Sequence, residues 1–299
     1  MSAEFAQDRN ASVGADTGIT TAIRRHPVAA FFTISFVGTW LAAVPILLSQ
    51  RGLGLFDVPD AIGLVNFLLT TYAGPFLAAW VVTRVMEGRE GVRQWFRRML
   101  QWRVGWLWYL LVLVGYPVAF GVPALVLEGQ PALSALQQNV GSFLPAYLAT
   151  ILIGFFVPTL GEEAGWRGFA LTRLQRTHGA LLSTLLVGVM HALWHIPMYF
   201  VKGAISESGV FDPIVFGANS LAIIAASFIW TWLFNHAAGS ILFATFVHAA
   251  SNAMSANLPR ALDLQAPNPW FAFGVLGALA VLVIALTRGR LGYSEADRE

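Results

Sequence analysis

The chain has 299 residues, of which 57% are hydrophobic and only 11% charged, whereas about a quarter of an ordinary soluble domain is charged. Most of its length therefore has no polar face to offer water, and it reads as a membrane protein. The net charge of +2 is too small to suggest a nucleic-acid partner, and the lack of cysteine excludes disulfides, thiolate metal ligands and a cysteine nucleophile.

Residues 1–25 are polar and lack the apolar core of a signal peptide, so they read as a mobile cytoplasmic tail, matched at the other end by 290–299. Between them, 26–289 reads as one all-α polytopic membrane domain. A spanning helix needs about 20 mainly apolar residues. Eight stretches approach this, near 28–49, 61–83, 105–127, 143–163, 180–201, 213–234, 238–257 and 269–287. Between the second and third lies EGVRQWFRRMLQWR, where Val92, Trp95, Phe96, Met99 and Leu100 recur at helical spacing opposite Arg93, Arg97 and Arg98. That pattern predicts one amphipathic helix lying in the interface. With eight crossings and a cytoplasmic N-terminus, fifteen of the eighteen basic residues fall on the cytoplasmic side, and only Arg51, Lys202 and Arg260 on the other. This asymmetry predicts a multi-pass protein of a prokaryotic cytoplasmic membrane with both termini cytoplasmic, its partner the lipid bilayer.

Three polar groups interrupt the apolar stretches. Glu162 and Glu163 stand in GEEAGWRGF, where the fourth stretch meets the cytoplasmic side, and Glu163 shares a helical face with Arg167, four residues on. An ionised carboxylate buried there costs several kcal/mol unless it is paired, protonated or bound to a metal. Two glutamates that have simply emerged among headgroups and pair with arginines read equally well. In VMHALWHIP, His191 and His195 stack on one face of the fifth stretch, and Pro197 breaks the hydrogen-bond ladder behind them. In FVHAASNAM, His248 and Asn252 share a face of the seventh stretch, while the alanines and Ser251 between them suit close helix packing.

GEEAGWRGF, ALWHIP and HAASN resemble, in order, the EExxxR, FxxxH and HxxxN motifs of the CAAX protease and bacteriocin-processing (CPBP) family of intramembrane proteases, across a core at 144–257. His195 matches the histidine of the second motif. His191 takes the position of its aromatic residue, either as an extra polar participant or as a packing substitute. The resemblance implies an intramembrane endopeptidase that cleaves a membrane-associated or lipidated polypeptide in a cytoplasm-accessible intramembrane cavity. It implies Glu162 as the base that activates water, His195 as the group that holds it, and His248 and Asn252 as the oxyanion site. Glu163 and Arg167 become the orienting pair. A divalent metal such as Zn suits Glu162, His195 and His248, and a metal-free glutamate mechanism uses the same residues. A non-proteolytic scaffold or bacteriocin self-immunity protein on the same framework is the alternative.

Overall fold

The structure, a computed structural model, describes residues 18–205, 208–264 and 268–294. The predicted tail segments 1–17 and 295–299 lie outside the described residues. Residues 18–25 of the expected N-terminal tail form helix α1 (Gly18–Arg25), whose Ile23 is buried. At the other end Leu291 is fully buried, and its carbonyl accepts from Asn235 Nδ2 at 2.8 Å.

Helix α2 (Pro27–Leu48) opens with proline at its first position, where a missing N–H costs nothing. The second predicted stretch is divided. Helix α3 (Asp60–Thr71) leads into a π-helical turn (Tyr72–Phe76) kinked at Gly74, and then into α4 (Leu77–Met99). Gly88, at φ 69°, breaks α4 again and starts the segment predicted to lie in the interface. That segment does more than rest on lipid: Trp95 and Met99 are buried, and Trp95 Nε1 donates to the Ala164 carbonyl at 2.9 Å. Arg98 reaches the carbonyls of Gly239 and Gly168, and burial, helped by Arg173 and Arg176, draws its guanidinium down to about 10.

Helix α5 (Trp106–Gly154) turns a corner at Gly129, where φ is 67°, and so carries the third predicted stretch and the first part of the fourth. A π-helical turn (Phe155–Thr159), α6 (Leu160–Gly165) and a second π-helical turn (Trp166–Leu171) continue it into α7 (Thr172–Trp194), which bends at Gly179. The backbone thus stays helical past Arg167, and α7 ends just before Pro197 in a short 3₁₀ turn (Ile196–Phe200). Helix α8 (Pro213–His236) is capped by the Asp212 carboxylate, α9 (Ile241–Ala261) by Ser240 Oγ, and α10 (Trp270–Leu286) completes the chain.

Among the described residues the fold is all helical apart from one isolated bridge between Ser49 and Phe56. Among the described residues three tracts, Pro27–Leu48, Trp106–Phe200 and Pro213–His236, are long and apolar enough to cross a membrane. The expected eight single helices are therefore redistributed. Several predicted stretches share the Trp106–Phe200 tract, and the second is split at Gly74. Two buried clusters flank the motif segment. One gathers α5, α8, α9 and α10 around Tyr116, Trp230 and Met254, and the other gathers α2 and α4 around Phe31, Trp95, Trp166 and Phe169.

Candidate active site

The site begins with a backbone packed too closely for side chains. A Cβ on Gly165 would lie 2.5 Å from the Cβ of Pro75, and one on Gly161 would lie 3.3 Å from Thr71. The motif helix thereby rests directly on the kinked turn at 72–76. Pro158 has no N–H to give a regular helical bond, which accounts for the π-helical turn ahead of α6. With one side of α6 held against the turn, Glu162 and Glu163 are directed into the bundle, and they are 3% and 0% exposed.

Two hydrogen-bonded groups follow. In the first, His191 Nε2 meets Glu162 Oε2 at 2.8 Å, and His195 Nδ1 meets the His191 carbonyl at 3.0 Å. His191 is fully buried and its Nδ1 has no partner, so a proton placed there would be a buried donor without an acceptor. The ring proton is accordingly assigned to Nε2, and it is donated to the Glu162 carboxylate. His195 donates its Nδ1–H to a carbonyl, which leaves the lone pair on Nε2.

In the second group Glu163 Oε1 accepts from Arg167 NH1 at 2.8 Å and from His248 Nδ1 at 2.9 Å. Arg167, itself fully buried, also donates from NH2 to Ser227 Oγ at 3.0 Å, and its guanidinium lies 4.8 Å from the Trp230 ring centre. Trp230 stacks on His248 with ring centres 4.2 Å apart and donates Nε1–H to the Tyr116 hydroxyl at 2.9 Å. The two groups adjoin, since the His191 and His248 rings are 5.6 Å apart.

Glu162, His195, His248, Glu163 and Arg167 are thus gathered from α6, the turn after it, the residue that caps the end of α7, and α9. Asn252 stands apart from them: one turn beyond His248 on α9, it is exposed and lies outside the buried network. His191, left open between packing and chemistry by its spacing, contacts the candidate base directly. Ser227 and Trp230 of α8 escaped the sequence reading. A serine three residues before a tryptophan in an apolar helix is ordinary packing until its partner is known.

The expected metal set was Glu162, His195 and His248. The carboxylate and imidazole atoms that lie together, all within 4.8 Å of one another, belong to Glu162, His191 and His195. His248 is not in that group, and its Nδ1 is bonded to Glu163. One carboxylate and two imidazoles are the right donors for zinc, and the fit is sound for Glu162 and His195 Nε2 as they stand. His191 joins only by giving up its hydrogen bond to Glu162.

Residues 143–254, which contain all of these motif positions, match the family model described as type II CAAX prenyl endopeptidase Rce1-like. Over 234 residues the chain is 24% identical to the CAAX prenyl protease 2 of Methanococcus maripaludis, a match covering 74% of this chain and 81% of that protein. By its apolar helical architecture and these matches the chain is similar to peptidase hydrolases of the CAAX-endopeptidase type. The matched segment carries the three motifs that resemble those of the CPBP family.

Proposed function

We propose that the protein is an intramembrane endopeptidase in which Glu162 activates the water that cleaves a membrane-associated or lipidated polypeptide. The observation that carries this reading is the buried Glu162 carboxylate, fixed by His191 Nε2–H at 2.8 Å beside the lone pair of His195. A carboxylate held this way and shielded from bulk water has few other uses in an apolar bundle.

In the proposed reaction Glu162 takes a proton from water while the water oxygen attacks the scissile carbonyl. The carbonyl electrons move onto oxygen. Collapse of the intermediate expels the amine, which receives the proton from Glu162. His195 Nε2 holds the water. Asn252 Nδ2–H stabilises the oxyanion in every protonation state of the site. His248, whose Nδ1–H is given to Glu163, offers a donor at Nε2 only when its ring carries both protons. Glu163 and Arg167 orient His248 and α6. If a divalent metal binds, Glu162 and His195, with His191 after rearrangement, would hold it, and it would supply Lewis-acid activation of water.

The substrate is a peptide, and the name of the methanococcal relative, a CAAX prenyl protease, favours one carrying a lipid. Eight crossings, both termini in the cytoplasm of a prokaryotic cell and a cavity opening to that side remain our reading, supported by the fifteen-to-three distribution of basic residues. Single-turnover cleavage of a membrane-anchored reporter in ¹⁸O-labelled water tests the step itself. Direct attack by water places one label in the new product carboxylate and none in the protein. Label found in the Glu162 carboxylate, with unlabelled product, would show that Glu162 is instead a nucleophile.

A further inference from the structure

His195 stands where the backbone ladder of α7 gives out. It caps that helix, and the residues that would next supply backbone donors do not serve it: Pro197 has no N–H, and Met198 N bonds to the His195 carbonyl at 2.9 Å. The Trp194 carbonyl is thereby released from the ladder. It is taken up by α2, where Trp40 Nε1 donates to it at 3.2 Å.

The side chain of Trp194 is taken up by the neighbouring residue of α2. Its Nε1–H is donated to Thr39 Oγ1 at 2.8 Å, and Thr39 Oγ1 donates in turn to the Thr70 carbonyl at 2.6 Å. The second bond uses the one proton of the hydroxyl, which leaves its lone pairs for Trp194. Thr39 and Trp194 are 2% and 4% exposed, so an indole N–H that lost this partner would be a buried donor without an acceptor. Gly74 of the kinked turn packs on Thr39 so closely that a Cβ there would collide with Oγ1. Trp194 then meets His195 edge to face, with ring centres 4.8 Å apart and planes at 84°. Two consecutive residues of α2, a helix outside the segment matched by the family model, thus hold the main chain and the side chain of the residue before His195.

We propose that Thr39 and Trp40 are positioning residues for His195, acting through Trp194, and so fix where its Nε2 lone pair points. The use made of that lone pair rests on the peptidase reading; the placement of the ring does not.

The full chain in detergent, carrying ¹⁵N-labelled histidine, gives an imidazole signal that is assigned to His195 by its loss in His195→Gln. Thr39→Val keeps the shape of the side chain and removes the hydroxyl. It should displace or broaden the His195 signal, and lower kcat on a membrane-anchored reporter about tenfold while KM changes by less than about twofold. Thr39→Ser should restore both. Trp40→Phe removes only the donor to the Trp194 carbonyl, from a side chain that is 39% exposed, and should also move the signal, with a loss in kcat of about threefold. It serves if Thr39→Val fails to fold. In a His195→Gln background neither substitution should lower kcat further. Unmoved His195 signals, or losses in kcat that persist undiminished in the His195→Gln background, would overturn the proposal. Parental cleavage by both Glu162→Gln and His195→Gln would instead remove the peptidase reading. The ring signal would then still decide the placement, a displaced one supporting the clamp and an unmoved one overturning it.

Discussion

His191 shows most clearly what a single side chain decides. Its spacing from His195 put both on one face, but spacing along a helix says nothing about what the facing helix presents. The structure supplies the partner, Glu162, at 2.8 Å. The ring also lies within 5.1 Å of the Trp166 ring and 6.1 Å of the Trp194 ring, a cage that a phenylalanine would fill. His191→Phe should therefore still fold, at a lowered melting temperature because the buried Glu162 loses its hydrogen-bond partner, and cleave a membrane-anchored reporter about 10- to 100-fold more slowly, the usual loss when a group orienting a reactive ligand is removed. Parental activity in that variant would reduce His191 to packing. Asn252 is the contrasting case, exposed and outside the buried network. Asn252→Ala is expected to leave the melting temperature unchanged and to lower kcat by about 10²- to 10³-fold, the loss typical of one oxyanion donor. A loss of stability with no loss of kcat would remove it from the reaction.

Among the helices, Arg167 is the tie. It pairs with Glu163 one turn back and with Ser227 of α8, while Glu163 also receives His248 of α9. Arg167→Ala strands a fully buried carboxylate and should cost about 3–5 kcal/mol, read as a fall in melting temperature that accompanies the loss of cleavage. An unchanged melting temperature would mean that these helices are held by apolar packing alone. The helices themselves were legible in the sequence because long apolar runs leave the backbone few alternatives. The breaks were less so: Gly74, Gly129 and Gly179 lie within or beside those runs, and hydropathy is blind to the backbone angles that turn one stretch into two helices. The motif glutamates, histidines and arginine were legible because charge inside an apolar run is costly. Ser227 and Trp230 were not, since neither breaks the apolar pattern of α8.

For the molecule as a whole, the uneven distribution of basic residues is the basis of the proposed orientation. The chain contains no cysteine, so single-cysteine variants report topology without background. Leu53 and Leu100 are 72% and 74% exposed and fall on opposite sides in the proposed arrangement. A membrane-impermeant maleimide added to intact cells should label Leu53→Cys and spare Leu100→Cys until the membrane is opened. Labelling of both from outside, or the reverse pattern, would overturn the orientation.

The central claim is that Glu162 performs chemistry and does not merely hold the bundle together. Glu162→Gln keeps the volume of the side chain and an acceptor for His191 Nε2–H, and removes only the base. Cleavage rate and melting temperature, measured on the same purified variant with a membrane-anchored reporter, test this most directly. The rate should fall by several orders of magnitude at an essentially unchanged melting temperature. Cleavage at the parental rate would contradict it.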